Sequence, residues 1–191
     1  MRIAIIGKGN VGSALQAGLS QLGHQVQAVG RDPQHVHQTA LASELIILAM
    51  PYSETDNVVA ALGVAADGKV VVDATNLLTE SLHLAAGFDT SGAEQLQQKL
   101  PAAKVIKAFN TCFAATMHTG HVKGEQLVGL VAGDDAAAKQ TVLDMVDALG
   151  FDAVDAGPLQ MARYLEPMAL LNIRLAYVQG LGPNMGFRLV R

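Results

Sequence analysis

The stretch that most limits what this chain can fold into is its first 31 residues, MRIAIIGKGNVGSALQAGLSQLGHQVQAVGR. Ile3, Ala4, Ile5 and Ile6 form a short apolar run of the kind buried on both faces of a parallel sheet. Gly7, Gly9 and Gly12 follow at G-x-G-x-x-G spacing, with Lys8, Asn10 and Val11 between them. Between a strand and a helix, each of these glycines has its own task. The first lets the chain turn tightly, the second leaves room for a pyrophosphate at the backbone, and the third lets the helix pack close to the strand. A helix starting near Asn10 would turn its free N–H groups and positive dipole end toward the phosphates. Ala14, Leu15, Leu19 and Leu22 recur at helical spacing, Gly23 stands at a helix end, and Val26, Ala28 and Val29 supply a second strand. The pattern predicts a nucleotide-binding βαβ unit with residues 7–12 as its cofactor loop. A glycine-rich turn with no ligand is the plainer alternative.

The end of the second strand decides which dinucleotide fits. A carboxylate there binds the ribose 2′-hydroxyl of NAD, and an arginine receives the 2′-phosphate of NADP. The chain reads Gly30-Arg31-Asp32-Pro33. Pro33 suits the first turn of a helix with Asp32 as its N-cap. That gives Asp32 a structural task and leaves Arg31 for the phosphate, so NADP is favoured over NAD. His35 and His37 are read as surface positions of that helix.

Further strands are expected at 44–49, 69–73, 104–109, 127–132 and 151–155, alternating with helices at 53–62 (N-cap Ser53), 91–100 (ended by Pro101) and 134–149 (N-cap Asp134). Several strands end on small or polar groups, where a doubly wound sheet borders its ligand crevice. These are Ala49-Met50-Pro51 with Tyr52, Ala74 to Asn76, and Asn110-Thr111. Ala49, Met50, Pro51, Ala74, Asn76, Asn110 and Thr111 join residues 7–12 and Arg31 as candidate cofactor-binding residues. Residues 77–90 read as a connection over the site. Cys112 is either a reactive thiol or an ordinary buried cysteine, the commoner case. His118 and His121 make a poor zinc site without a third ligand. A mostly helical segment at 159–181 and a loose tail at 185–191 complete the chain. The core is placed at 1–157 and a helical extension at 158–182 of a single domain.

Half of the 191 residues are hydrophobic, only 16% are charged, and the formal net charge is −4. Clustered basic residues for nucleic acid are missing. The apolar runs fall short of a membrane span, and the glycine-broken N-terminus does not read as a leader. One cysteine fits a reducing compartment. A cytoplasmic protein with a small-molecule substrate is expected.

The segments GKGNVG (7–12), LGHQVQAVGR ending at Arg31, VVDATN ending at Asn76, SGAEQLQQKLPAAKVIKAFNT (91–111) and AGPLQMARYLE (156–166) carry a resemblance to a known family. The chain resembles the NADPH-dependent oxidoreductases that act on the deazaflavin coenzyme F420, and still more the cytosolic oxidoreductase domain of the six-transmembrane metalloreductases. The resemblance reaches to about residue 170. It implies a doubly wound α/β Rossmann-like fold with a mainly parallel sheet and a C-terminal helix, bound NADPH, and commonly a homodimer. In the relatives a serine-arginine pair holds the 2′-phosphate. Here Gly30 stands at the serine, and Gln34 or His35 replaces a nearby lysine, which implies a weaker NADP preference. Asn76, Asn110 and Thr111 fall where the relatives surround the nicotinamide or the acceptor ring. The metalloreductases' membrane and haem part has no counterpart, so metal reduction through a haem is not expected.

The function expected is hydride transfer between NADPH and a flavin or deazaflavin acceptor, with FMN, FAD and F420 all open. Positioning would carry most of the catalysis, with no catalytic acid or base. No lysine or paired carboxylates stand out at the strand ends. Two alternatives remain: a small-substrate NADP dehydrogenase, which usually needs a second helical domain, and an NADPH-binding sensor without turnover.

Overall fold

The computed structural model describes every residue except 80, 82 and 87. In chain order its regular elements are β1 (Arg2–Ile6), α1 (Asn10–Gln21), β2 (Gln25–Val29), α2 (Pro33–Ala42), β3 (Leu45–Leu48), α3 (Thr55–Leu62), β4 (Val70–Asp73), α4 (Gly92–Lys99), β5 (Lys104–Lys107), β6 (His121–Val122), β7 (Glu125–Gln126), β8 (Val128–Gly133), α5 (Ala136–Ala148), β9 (Asp152–Gly157) and α6 (Ala162–Ile173). Seven strands form one sheet in the order β2-β1-β3-β4-β5-β8-β9, and β6 pairs with β7 in a small hairpin. All neighbours in the sheet are parallel except β5 and β8. The expected doubly wound, mainly parallel α/β fold is therefore present.

The period of two along β1 divides the core. Ile3 and Ile5 pack with Leu15 and Leu19 of α1 and with Val142 and Val146 of α5. Ala4 and Ile6 face the other way, onto Val36 of α2, Val58 and Leu62 of α3 and Leu96 of α4. The chain leaves β1 toward β2 on one side, then crosses back to β3 on the other. That switch opens a crevice beyond the carboxyl ends of β1 and β3.

Several expected boundaries move, each for a local reason. A 3₁₀ turn at Tyr52–Glu54 precedes α3, and Ser53 does not cap it. Asp135, not Asp134, caps α5 by accepting from the Ala138 N–H at 2.8 Å. Asp134 accepts instead from the Leu159 N–H at 2.9 Å and so ties the segment after β9 to the sheet. β5 stops at Lys107, because Phe109 turns the chain with a φ of 65°. The tail is not loose: the Val128 N–H donates to the Phe187 carbonyl at 2.9 Å, Arg188 pairs with Glu125, and Arg191 grips Asp152 through two contacts of 2.8 and 3.0 Å. By contrast, Asp32 caps α2 as expected, accepting from the His35 N–H at 2.8 Å. The 159–181 segment is a 3₁₀ turn, then α6, then a π-helical turn at Arg174–Val178.

Two of the three loop glycines are fixed by sterics. Gly7 sits at φ 128°, and a Cβ there would lie 2.2 Å from the Ala49 carbonyl oxygen. A Cβ on Gly12 would lie 2.0 Å from the Gly7 carbonyl oxygen, whereas one on Gly9 would meet nothing within 4 Å. Gly12→Ala should therefore cost about 1–3 kcal/mol of unfolding free energy through overpacking. Gly9→Ala should stay within about 0.5 kcal/mol of the parent. Urea denaturation of the two variants checks the contrast.

Candidate functional site

The glycine loop opens α1 without a side-chain cap, and its first turn carries no acidic residue. The first N–H groups of a helix have no partner inside it. Here they face a cavity of about 560 Å³ whose walls include Gly9, Asn10, Val11, Ala49, Met50, Pro51, Tyr52, Ala74 and Asn76. Uncapped amides at the end of a positive dipole, with open space where a Cβ on Gly9 would stand, fit a pyrophosphate. The fit is to a dinucleotide of the kind the loop spacing predicts.

A second chamber of about 370 Å³ adjoins the first and shares Asn10, Val11, Ala74 and Asn76 with it. Its other walls include Phe109, Asn110, Thr111, Phe113, Asn172 and Tyr177. Asn110 Nδ2 donates to the Leu165 carbonyl at 2.9 Å and to Asn76 Oδ1 at 3.0 Å, and Asn76 Nδ2 donates to the Asn110 carbonyl at 3.2 Å. Asn172 Nδ2 donates to the Thr111 carbonyl at 2.9 Å. These carbonyl acceptors fix which way each amide points. Asn110 Oδ1 and Asn172 Oδ1 are then buried acceptors without a protein partner. Phe113 and Tyr177 meet edge to face at 5.9 Å between ring centres.

The predicted residues thus divide. Gly9, Asn10, Val11, Ala49, Met50, Pro51, Ala74 and Asn76 line the first cavity, and Asn110 and Thr111 line the second. Gly7 and Gly12 shape the loop from behind, and Lys8 contributes its carbonyl to a 3.4 Å contact with Ser13 Oγ. Arg31 stands apart, in a third groove with Pro33, Val36, Glu54, Asn57, Val58 and Ala61. Burial pushes the Cys112 thiol up to about 12. It is therefore protonated at neutral pH and poorly nucleophilic. His121 is engaged locally, its Nδ1 lying 2.7 Å from the Thr119 carbonyl. Burial also raises the Tyr52 phenol above its ordinary value, and its hydroxyl donates to Gln95 of α4.

One expectation is overturned. A lysine and two carboxylates do meet at the strand ends. Lys107, fully buried at the end of β5, donates to Asp73 Oδ2 at 2.9 Å, Glu166 Oε1 at 2.8 Å and the Thr75 carbonyl at 2.6 Å. Burial alone would lower its pKa, but Asp73 and Glu166 outweigh that and hold it above the ordinary lysine value. Asp73 Oδ1 accepts from the Thr75 N–H at 2.9 Å, and Glu166 accepts from the Gly92 and Ala93 N–H groups at 3.0 and 3.3 Å. The two carboxylates leave one net negative charge, which the N-terminal end of α4 faces. The ammonium has used its three protons and lies off both cavities, so it positions the Ala74–Asn76 wall and does not act on a ligand. Arg163 adds a second tie, gripping Glu94 of α4 with contacts of 2.8 and 2.9 Å. The sequence signal was Lys107 itself, a charge inside the apolar run KVIKAF. Asn172 and Tyr177 carried no local signal, because only the path of α6 brings them to the crevice.

Sheet order, glycine loop and uncapped α1 place the chain among the Rossmann-type dinucleotide-binding proteins. The family model described as "NADP oxidoreductase coenzyme F420-dependent" matches residues 2–77. The F420-dependent NADP reductase of Methanocaldococcus jannaschii is 30% identical over 164 residues, covering 82% of this chain and 71% of that protein. Metalloreductase STEAP3 of Rattus norvegicus is 30% identical over 181 residues, covering 88% of this chain but 36% of the metalloreductase, so the chain spans about a third of that length. A solved structure from Arthrobacter sp. FB24 that carries the F420-dependent NADP reductase assignment superposes with a TM-score of 0.92 at 30% identity, covering 100% of both chains. The chain belongs to the coenzyme F420-dependent NADP oxidoreductase family. Among its described residues, no helix is long and apolar enough to cross a membrane.

Removing one partner of a buried ion pair leaves an uncompensated charge. Lys107→Met should therefore lower the unfolding free energy by about 3–5 kcal/mol, read by chemical denaturation. A pKa raised in the folded state gives stability that is complete below the unfolded lysine value of 10.5 and is lost as pH rises through the folded value. The difference between the parent and Lys107→Met should thus hold steady across neutral pH and shrink only at strongly alkaline pH.

Proposed function

We propose that this protein moves a hydride between NADP(H) and a flavin or deazaflavin ring, with coenzyme F420, FMN and FAD as the candidate acceptors. The observation that carries this reading is the pair of adjoining chambers. One is closed by an uncapped helix N-terminus suited to a pyrophosphate, and the other is walled by Phe109, Phe113 and Tyr177 with side-chain amides between them. NADPH would supply the hydride when bound, and the acceptor ring would take it up. The chain's own part is binding and alignment. The α1 amides take the pyrophosphate, Arg31 takes the 2′-phosphate, and Asn76 stands on the shared wall where the two ligands would meet. Asn110 and Asn172, held by the Leu165 and Thr111 carbonyls, would keep the walls of the second chamber in place around the acceptor. Contact at roughly 3–3.5 Å between the reacting rings would supply most of the rate. No protonic group of the chain is required, in keeping with a Lys107 whose protons are all engaged.

The reading places the protein in the cytoplasm as a homodimer, with the exposed Tyr164, Leu171, Val178 and Leu181 of the C-terminal helical segment as the shared face. Light scattering at twice the chain mass is the expected result.

The direct test is NADPH oxidation followed by absorbance with FMN, FAD and F420 in turn, and NADH in parallel. Turnover with one acceptor is expected. Tight NADPH binding without turnover on all three would replace this reading with the sensor alternative. For the cofactor arm, Arg31→Ala should weaken NADPH binding about tenfold or more, the size of a lost charge-assisted hydrogen bond. NADH binding should change less than threefold. Fluorescence titration separates the two, and equal losses would mean that the phosphate sits elsewhere.

A further inference from the structure

The groove that holds Arg31 contains a second charged group that the cofactor reading does not use. Arg31 is the one cation among the described residues of the groove, and its guanidinium lies 3.2 Å from Glu54 Oε1. The two side chains differ in freedom: Arg31 is 76% exposed, Glu54 only 21%. Glu54 is also held from its other oxygen, where Asn57 Nδ2 donates at 3.3 Å. It stands in the 3₁₀ turn that leads from the Ala49–Pro51 wall into α3, so its backbone is fixed by the site itself. The apolar floor beside the pair, Val36, Val58 and Ala61, is suited to a flat base, which would set the ribose beside the charged end.

We propose that Glu54 determines how strongly the site discriminates between NADPH and NADH, by competing with the 2′-phosphate for Arg31. The inference rests on the reading that Arg31 receives that phosphate. A phosphate arriving at Arg31 must displace the carboxylate or share the guanidinium with it, and two anions side by side repel. A ribose with a free 2′-hydroxyl meets no such opposition, and a carboxylate beside it is a ready acceptor, as in NAD sites. Glu54 therefore lowers the NADPH preference that Arg31 creates. The Glu54–Arg31 pair is partly exposed, so its effect is modest and screened by salt.

The test is dinucleotide affinity by fluorescence titration at low ionic strength, for NADPH and NADH, on the intact chain. The variants are Glu54→Gln, Arg31→Ala and the double variant. Glu54→Gln keeps the side chain's size and its acceptor for Asn57 while removing the charge. It should tighten NADPH about threefold to tenfold and leave NADH unchanged or weaker, so the affinity ratio rises. In the Arg31→Ala background the same substitution should alter the ratio less than twofold, because there is no longer a cation to compete for. A ratio that does not rise in Glu54→Gln, with Arg31→Ala still selective against NADPH, overturns the role of Glu54 alone. A gain that persists undiminished without Arg31 overturns competition and leaves direct repulsion. Equal loss of both dinucleotides in Arg31→Ala, or no binding of either by the parent, overturns the phosphate-pocket reading and this inference with it.

Discussion

A single ammonium group holds the ligand-facing end of this fold together. Lys107 reaches from β5 to Asp73 on β4, to Glu166 on α6 and to the carbonyl of Thr75, with no part of it exposed. An isolated charge at that depth would be expelled or neutralised. With three partners it becomes a fastener among elements far apart in sequence. Glu166 passes the connection on to the first amides of α4, and Asp73 passes it to the turn that presents Ala74 to Asn76. The crevice walls that follow β4 and β5 and the wall from α6 are therefore set by one polar cluster, to which α4 is also tied. Packing alone, which is non-directional, would fix them less sharply.

Much of this was legible in the sequence because it rests on local rules. The apolar run and glycine spacing of residues 3–12 dictate a buried strand, a tight turn and an open helix end, and Asp32-Pro33 dictates the next helix start. The polar groups at strand ends were legible as well, since a doubly wound sheet sends all its parallel carboxyl ends to one side. What could not be read depended on partners distant in the chain. Ser53 and Ser91 look alike as caps, yet only Ser91 accepts from an amide three residues on, while Tyr52–Glu54 forms a 3₁₀ turn. Asp134 and Asp135 are adjacent acids, and the choice between them is made by Leu159, 25 residues further on. The tail looked free because its anchors, Glu125 and Asp152, lie on other strands. Lys107 was the costliest omission: read as one more residue of a strand, its charge gave no hint of where Asp73 and Glu166 would come from.

The site has a division of labour that follows from its materials. Backbone amides and glycines form the loop side of the first cavity, where shape and dipole are the only means. Side-chain amides and aromatic rings line the second chamber, which holds no charged side chain among its described walls. The charged pair of Arg31 and Glu54 sits outside both chambers, in a groove of its own between the end of β2 and the turn before α3. Each kind of group stands where its range of action suits the task, short for hydrogen bonds and longer for charges.

The reversal between β5 and β8 has one more result. Because β8 and β9 are not carried upward with the other strands, the chain leaves β9 well below the crevice and has to climb back. It does so in one helical run that passes Lys107 at Glu166, Thr111 at Asn172 and Phe113 at Tyr177. As the chain emerges during synthesis, the glycine loop and its strand partners are complete long before that climb begins. The second chamber is closed by a helical segment made after all seven strands of the sheet, so that wall is added to a crevice that already stands.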